Sequence, residues 1–269
     1  MKTILSIAGS DCSGGAGIQA DLKTFSAHGL FGMTVVTSVV AENTFRVTDY
    51  QHIRPDLIEK QIDDVFGDIP PDAVKIGMLG CAEAMKAVAG RLKKYKPVSV
   101  VVDPVMYAKN GSPLMEESAI DTLINQIVPL AGVVTPNVPE AEQMTGFKID
   151  SPGMMREAAR AIHRMGCRAV VVKGGHIGGD ATDVLFDGDG FYDFSAARVQ
   201  TKHTHGTGCT FSSAVASNLA NGLPVRAAVE KAKTYVLTAI RHTPGLGKGH
   251  GPTHHFYDMY KSFFPEGEQ

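Results

Sequence analysis

The chain has 269 residues, of which 43% are hydrophobic and 20% are charged, and its formal net charge is -2. This composition provides enough apolar side chains for a buried core and excludes an intrinsically disordered chain. Because the charge is near zero and no long run of one sign occurs, nothing favours binding to nucleic acid or to a membrane. Small molecules are the expected partners, and the length fits one α/β domain over residues 1–269.

The N-terminal segment contains an apolar stretch of only Ile4 to Ala8. This stretch is too short for a signal peptide or a membrane-spanning helix, so we expect a cytoplasmic protein. The cysteines form no CxxC pair, which argues against a disulfide framework or a structural zinc site. They are Cys12, Cys81, Cys167 and Cys209.

Short β-branched segments alternate with amphipathic segments along the chain. Nearly continuous apolar runs predict strands buried on both faces of a parallel sheet, in TILSIAG, TVVTSVVAEN, DAVKIG, VSVVVDPV, GVVTPN and RAVVVKGG. The intervening pattern predicts helices at about 16–29, 55–67, 82–95, 116–128, 152–166, 208–221 and 224–242. This alternation implies βαβ units with right-handed crossovers. The segment DVLFDGDGFYDFSAARV predicts an antiparallel hairpin at the sheet edge.

Ligands of such sheets bind at the carboxyl ends of the strands. Five polar residues lie in or just after the ends of predicted strands, namely Asp11, Asp103, Asn137, Glu140 and Lys173. The sequence therefore predicts one ligand site at this edge of the sheet.

The first glycine-rich segment, GSDCSGGAGIQADLKT, joins a predicted strand to a predicted helix. Gly14, Gly15 and Gly17 allow positive φ and a close backbone approach, so a substrate could lie on this loop. The segment is not a Walker A sequence, which ends in Gly-Lys-Ser/Thr, and it lacks GxGxxG. A tight strand-to-helix turn without a ligand remains the alternative.

Asp103 in VVDPV, with Asn137 and Glu140 in TPNVPEAE, could hold Mg²⁺ through water and substrate phosphates. The alternative is structural: the first two residues would brace turns beside prolines, and Glu140 would be a first-turn helix acid. Lys173 in VVVKGGH could contact a nucleotide phosphate, or its side chain could extend to solvent.

The segment THGTGCTFSSA places Gly206, Thr207, Gly208 and Cys209 directly before a predicted helix. Successive backbone N–H groups at a helix N-terminus bind anions and would suit a transferring phosphoryl group. The same field would favour the thiolate of Cys209 and make it a potential base. A helix start with a buried cysteine is the alternative.

Five histidines surround this segment and the glycine-rich stretch that follows the last predicted helix. Their spacing lacks the context of a zinc motif, so loop packing or nucleotide contact is favoured over a metal site. They are His203, His205, His250, His254 and His255.

Eight segments, in order over nearly the whole chain, resemble the hydroxymethylpyrimidine and phosphohydroxymethylpyrimidine kinases of thiamine biosynthesis. They are GSDCSGGAGIQADLKTFSAHG, VVAENT, KIGML, VVDPVM, TPNVPEAE, VVKGGH, THGTGCTFSSA and GKGHGPTHHF. The resemblance implies a ribokinase-like α/β fold, with a central, mostly parallel sheet flanked by helices on both faces and a small antiparallel β element at one edge.

The resemblance also implies roles for individual residues. The pyrimidine pocket would include Gly9, Asp21, Glu42, Met78, Val105 and Cys209. The nucleotide would meet Lys173, Thr204 and Asn137, and Mg²⁺ would lie near Asp103 and Glu140. The catalytic anion hole would be Gly206, Thr207, Gly208 and Cys209, with cysteine where ribokinases proper have a catalytic aspartate.

The implied reaction is transfer of the ATP γ-phosphoryl group to the hydroxymethyl oxygen of 4-amino-5-hydroxymethyl-2-methylpyrimidine, and then to its monophosphate. Mg²⁺ is the implied metal, a monovalent cation is a further candidate, and homodimers are common among relatives. The alternatives are a pyridoxal kinase of the same superfamily and a non-catalytic pyrimidine sensor.

One residue departs from the family pattern: Glu42 stands where VVAENT usually has glutamine. A glutamine both donates to and accepts from a heterocycle edge, whereas an ionised glutamate only accepts. Either Glu42 pairs with an amino group and a protonated ring nitrogen, or the preferred heterocycle differs.

Overall fold

The computed structural model describes residues 1–108, 111–175 and 177–263. Within these ranges an eight-stranded sheet has the order β10-β9-β8-β7-β6-β5-β1-β2, and β3 and β4 form a separate pair. The strands are β1 Thr3–Ala8, β2 Phe31–Val36, β3 Ser38–Glu42, β4 Val47–His52, β5 Ala73–Ile76, β6 Val100–Val102, β7 Val133–Val134, β8 Ala169–Lys173, β9 Ala181–Phe186 and β10 Phe191–Ala196. His176 of the VVVKGGH motif lies outside the described residues.

The six strands from β2 to β8 in the large sheet are parallel, and β9 and β10 are antiparallel at its edge. The predicted mostly parallel sheet with an antiparallel edge is therefore confirmed. The helices are α1 Gly17–Ala27, α2 Pro55–Asp68, α3 Ala82–Tyr95, α4 Ile120–Thr122, α5 Val138–Thr145, α6 Pro152–His163, α7 Thr207–Ala220, α8 Val225–Arg241 and α9 Tyr257–Phe263.

Alternate residues of the central strands belong to two separate apolar cores, one on each face of the sheet. Leu5, Val74 and Val102 join the core with α2, α3, α5 and α6. Ile4, Ala73 and Val101 join the core with α1, α7 and α8. This alternation explains the continuous apolar runs, because both faces of each strand are covered by helices.

The prediction of one strand over TVVTSVVAEN is wrong, because the chain leaves the large sheet at Thr37. The Thr37 side chain is buried and donates to the Met78 carbonyl oxygen over 2.7 Å, which pins the chain at the strand ends. The chain continues as β3, which pairs with β4. The sequence did not reveal β4, because this strand is mostly exposed and polar.

The predicted helix at 116–128 is irregular. It combines 3₁₀ turns at Glu117–Ala119 and Val128–Leu130 with α4 and a π-helix at Leu123–Ile127. Pro129 has no backbone N–H for an i→i−4 bond, which favours a change of helix type near this end. Among the described residues, no helix is long and apolar enough to cross a membrane.

Candidate active site

A cavity of about 550 Å³ opens at the carboxyl ends of β1, β5, β6 and β8, beside the start of α7. Parallel strands bring the loops that follow them to the same edge of the sheet, so residues far apart in sequence meet here. The predicted site residues that line it are Gly9, Glu42, Met78, Asp103, Val105, Asn137, Glu140, Lys173, Thr204, Gly206, Thr207, Gly208 and Cys209.

The first glycine-rich loop is organised around the carboxylate of Asp11. Its oxygens accept backbone N–H groups from Ser13, Gly15 and Ala16 at 2.7, 2.9 and 2.7 Å. His205 Nε2 lies 2.9 Å from Asp11 Oδ2. Burial alone would raise the pKa of Asp11, but the hydrogen bonds with His205 and Ser13 hold it well below its usual range. Asp11 therefore fixes the loop as an anion.

The second glycine-rich turn begins α7. Gly206 precedes this helix with φ of 75°, a left-handed conformation that glycine adopts without strain. A Cβ at Gly206 would overlap the carbonyl oxygen of Gly15, so the two glycine-rich segments touch backbone to backbone. The turn thus faces the cavity with the partial positive charge of a helix N-terminus.

The expectation that this turn holds Cys209 as a thiolate is wrong for the protein without ligand. Burial, together with the charges of Asp21 and Asp103, raises the pKa of Cys209 to about 12 against the opposing effect of Lys75. The Gly17 N–H donates to the sulfur and lowers the pKa only in part. At neutral pH the side chain is a thiol, which can orient a hydroxyl group.

Lys173 is directed into the site and does not extend to solvent. Its Nζ lies 2.9 Å from Asp103 Oδ1, and the two side chains are 14% and 3% exposed. Burial lowers the pKa of Lys173, but Asp103 and Glu140 raise it more, so the ammonium stays charged. A Cβ at Gly208 would lie only 3.3 Å from Asp103 Oδ2 and 3.4 Å from Lys173 Nζ, so this glycine lets the turn approach the pair.

Asn137 and Glu140 form a reciprocal cap at the start of α5. Asn137 Oδ1 accepts the Glu140 N–H over 2.9 Å, and Glu140 Oε2 accepts the Asn137 N–H over 2.8 Å. The structural alternative for these residues is thus present, although both also line the cavity. Burial and the nearby Asp103 raise the pKa of Glu140 to about 7, with Lys173 opposing.

Asp21 does not line the cavity, which corrects the expectation that it contacts the substrate. The side chains of Asp21 and Lys75 are both fully buried, and Lys75 Nζ lies 2.8 Å from Asp21 Oδ1. The carboxylate also accepts hydrogen bonds from Ser6 and Ser213 over 2.5 and 2.7 Å. Its oxygens are therefore directed to protein partners beneath the cavity.

Glu42 lies at the end of the cavity that contains the first loop. One carboxylate oxygen of Glu42, one of Asp11 and one ring nitrogen of His205 lie within 4.8 Å of one another. Burial and the charge of Asp11 raise the pKa of Glu42 to about 7, whereas His205 lowers it. The hydrogen-bonded Cys12 sulfur, 3.4 Å from the Glu42 nitrogen and 3.1 Å from its carbonyl oxygen, holds the backbone of Glu42 on the loop.

The sequence did not reveal the opposite wall of the cavity. Val236, Leu237 and Ile240 of α8 form an apolar surface there. Beside them, Lys233 donates to Asp183 over 2.7 Å, and Asp183 accepts the Gly174 N–H over 3.0 Å. In the sequence these α8 residues were indistinguishable from an ordinary amphipathic helix, so no local signal marked them.

Comparison with known proteins identifies a family model and a relative that both carry the name of a phosphomethylpyrimidine kinase. The family model described as phosphomethylpyrimidine kinase matches residues 11–254. The chain is 44% identical over 263 residues to the hydroxymethylpyrimidine/phosphomethylpyrimidine kinase of Staphylococcus aureus, covering 97% of this chain and 95% of that protein.

Two further matches differ in length and in substrate. The chain is 50% identical over 254 residues to the thiamine biosynthesis bifunctional protein ThiED of Geobacter sulfurreducens, covering 94% of this chain but 52% of that protein. Its fold matches Bacillus subtilis pyridoxal kinase, solved as an ADP complex, with a TM-score of 0.89, 38% identity, and coverage of 97% and 99%.

Proposed function

The chain belongs to the phosphomethylpyrimidine kinase family and is an ATP-dependent phosphotransferase, and on this premise we propose how its cavity carries out the reaction. The reaction is phosphorylation of the hydroxymethyl group of 4-amino-5-hydroxymethyl-2-methylpyrimidine, followed by phosphorylation of the monophosphate, in thiamine biosynthesis. The pyrimidine lies at the Glu42 end of the cavity, and ATP lies at the Lys173 end.

One observation carries this proposal: the turn at Gly206–Cys209 lies between the two ends of a single cavity. On one side the turn approaches the Lys173–Asp103 pair, and on the other it contacts the first glycine-rich loop. A phosphoryl group above this turn is within reach of both a nucleotide and an alcohol. Catalysis then comes from positioning and from neutralising charge on the phosphoryl oxygens.

Each residue of the turn region has a distinct part in the proposal. The backbone N–H groups at the start of α7 bind the transferring phosphoryl group. Lys173 adds a compact positive charge on the nucleotide side, where Thr204 and Asn137 also line the cavity. Cys209, protonated at neutral pH, orients the hydroxymethyl oxygen by a hydrogen bond.

Asp103 and Glu140 fit a Mg²⁺ ion that is held through water and phosphate oxygens. Glu140 is 4% exposed, and it lines the same cavity as Asp103 and Lys173. A cation near both would offset their repulsion and favour the charged form of Glu140. When bound, Mg²⁺ supplies positive charge to the phosphates.

Glu42 retains pyrimidine recognition in spite of its departure from glutamine. With a pKa of about 7, its carboxyl group is available in both forms near neutral pH. The protonated form donates and accepts as glutamine does, and the ionised form accepts from the amino group and a protonated ring nitrogen. Both forms complement an aminopyrimidine edge.

The test is product analysis by mass spectrometry with ATP, Mg²⁺ and four phosphoryl acceptors: the pyrimidine alcohol, its monophosphate, pyridoxal and pyridoxine. We expect the pyrimidine monophosphate and diphosphate as the main products. We also expect Glu42→Gln to remove an ionisation near pH 7 from kcat/KM for the pyrimidine. Phosphorylation of pyridoxal alone would overturn the substrate assignment, and an unchanged pH profile in Glu42→Gln would remove Glu42 from ring recognition.

Pyridoxal phosphorylation is the second candidate function. The fold match to a pyridoxal kinase, at a TM-score of 0.89, is the observation that favours it. A non-catalytic sensor is disfavoured because the cavity contains the anion-binding turn, Lys173 and two buried carboxyl groups together. The same panel of four phosphoryl acceptors separates these functions, since a sensor would form no phosphorylated product.

A further inference from the structure

A buried ion pair lies at the floor of the cavity, where Lys75 is one of the lining residues. Lys75 of β5 and Asp21 of α1 have side chains that are both 0% exposed, with Nζ–O distances of 2.8 and 2.9 Å. Moving two charges from water into the protein interior often costs more free energy than their mutual attraction returns. A pair that is completely enclosed next to an active site therefore calls for an explanation other than stability.

The surroundings of this pair connect it to Cys209 through two helices. In α7, Cys209 is followed four residues later by Ser213, which donates to Asp21 Oδ1 over 2.7 Å. In α1, Gly17 donates to the Cys209 sulfur and is followed four residues later by Asp21. Residues four apart lie on the same helix face. In α7, one turn carries the Cys209 sulfur and the next turn contacts the ion pair. In α1, one turn contacts the sulfur and the next turn carries Asp21.

The strand beneath leaves space for the ammonium group. A Cβ at Gly77 would lie 2.8 Å from Lys75 Nζ, so the glycine two residues after Lys75 makes room for it. Four charged groups surround Cys209: Lys75 from β5, Asp21 from α1, Asp103 after β6 and Lys173 from β8. Two are positive and two are negative, and Lys75 is one of the two whose charge favours a thiolate.

We propose that Lys75 is a positioning residue for Cys209: its buried ammonium, held by Asp21 between α1 and α7, provides positive charge beside the sulfur, and Asp21 balances that charge and holds both helices in place. Lys75 and Cys209 line the same cavity, and Lys75 lowers the pKa of Cys209 against the larger effect of burial, whereas Asp21 raises it. The proposal rests on the placement of Cys209 in the proposed transfer site.

The experiment measures alkylation of Cys209 by iodoacetamide from pH 6.5 to 9.5, with mass spectrometry of the peptide that contains Cys209. It needs no substrate, so its result is independent of whether the proposed reaction is correct. The variants are Lys75→Met, Asp21→Asn, and the double variant. Lys148→Met is the matched control, since it removes a lysine from an exposed pair with Glu142.

The two single variants have opposite expected signs. Lys75→Met should slow alkylation about tenfold at a given pH, because a pKa higher by about one unit leaves a tenth of the thiolate. Asp21→Asn should speed alkylation several-fold, because it removes one of the two carboxylates that oppose the effect of Lys75 on the sulfur. The double variant should lose this gain, and Lys148→Met should match the wild type.

A gain in Asp21→Asn that persists without Lys75 would overturn the proposal, because loosened packing would then explain it. Alkylation in Asp21→Asn at or below the wild-type rate would also overturn it. If Lys75→Met does not fold, the comparison of Asp21→Asn with the double variant decides alone. As a second readout, Asp21→Asn should change kcat while KM for ATP stays within about twofold.

Discussion

Two lysine–aspartate pairs flank the start of α7, and they differ in one property. Lys173 and Asp103 lie on the cavity wall and are partly exposed, whereas Lys75 at the cavity floor and Asp21 behind it have fully buried side chains. In both pairs the lysine comes from a parallel strand and the carboxylate accepts from a serine of α7. Ser212 donates to Asp103 over 3.4 Å, and Ser213 donates to Asp21 over 2.7 Å.

The two pairs differ in the exposure of their side chains. The side chains of Lys173 and Asp103 are 14% and 3% exposed, whereas those of Lys75 and Asp21 are 0% exposed. Solvent and ligands therefore have more access to the first pair than to the second. The same two residue types thus form a partly exposed pair in one place and an enclosed pair in the other.

The largest expected effect comes from breaking the enclosed pair. Lys75→Met should lower the free energy of unfolding by about 3–5 kcal/mol, because it leaves Asp21 buried without its cation. Urea unfolding monitored by circular dichroism measures the change. Lys148→Met, in an exposed pair, should cost less than about 1 kcal/mol. Equal costs for the two variants would contradict the distinction between the pairs.

Breaking the accessible pair should affect turnover more than stability. Lys173→Met should lower kcat by about 10²- to 10³-fold, as expected when a charged group that stabilises the transition state is removed. Its unfolding free energy should fall by less than that of Lys75→Met, because Lys173 is 14% exposed and its removal lets water from the cavity reach Asp103. Steady-state kinetics with ATP and the pyrimidine alcohol test this. Turnover within threefold of the wild type would contradict it.

The smallest predicted effect is the pH dependence of the unfolding free energy that Glu140, beside the Lys173–Asp103 pair, causes. The pKa of Glu140 in the folded protein is about 7, above its ordinary value of 4.5, so the folded state binds the proton more tightly. The unfolding free energy should therefore fall as pH rises from about 5 to about 8. Glu140→Gln should reduce this fall by roughly 1–3 kcal/mol.

Glu142→Gln is the control for the pH prediction, because Glu142 lies on the same helix. Its pKa is lowered by a hydrogen bond from the Ile149 N–H and by Lys148, so its contribution to stability changes only at acid pH. Urea unfolding at several pH values compares the two variants. A slope between pH 5 and 8 that is the same in Glu140→Gln and the wild type would contradict the role assigned to burial.

The sequence predicted those features that depend on local pattern. The apolar runs indicated strands covered on both faces, and α3 has the bounds that its periodicity predicted. Four of the five polar residues after the strands line one cavity because parallel strands end at the same edge, whereas Asp11 does not line it and holds the first loop. The resemblance to a kinase family is confirmed by relatives that span nearly the whole chain.

The features that the sequence did not reveal depend on distant partners. Asp21 looked like a residue of the substrate loop, and only the buried Lys75, 54 residues away, shows that it faces inward. The protonation of Cys209 could not be predicted, since the motif indicated a helix N-terminus but not how deeply the thiol is buried. The chain left the sheet at Thr37 because of a bond to Met78, which no pattern around Thr37 predicts.

The contact between Asp11 and His205 joins residues 194 positions apart, and that between Asp21 and Ser213 spans 192. Closing such long segments of chain costs entropy that only the assembled sheet can offset. During synthesis the first loop and α1 therefore leave the ribosome long before the residues that complete them. The turn at Gly206–Cys209 can therefore dock against the first loop only after most of the chain has been synthesised.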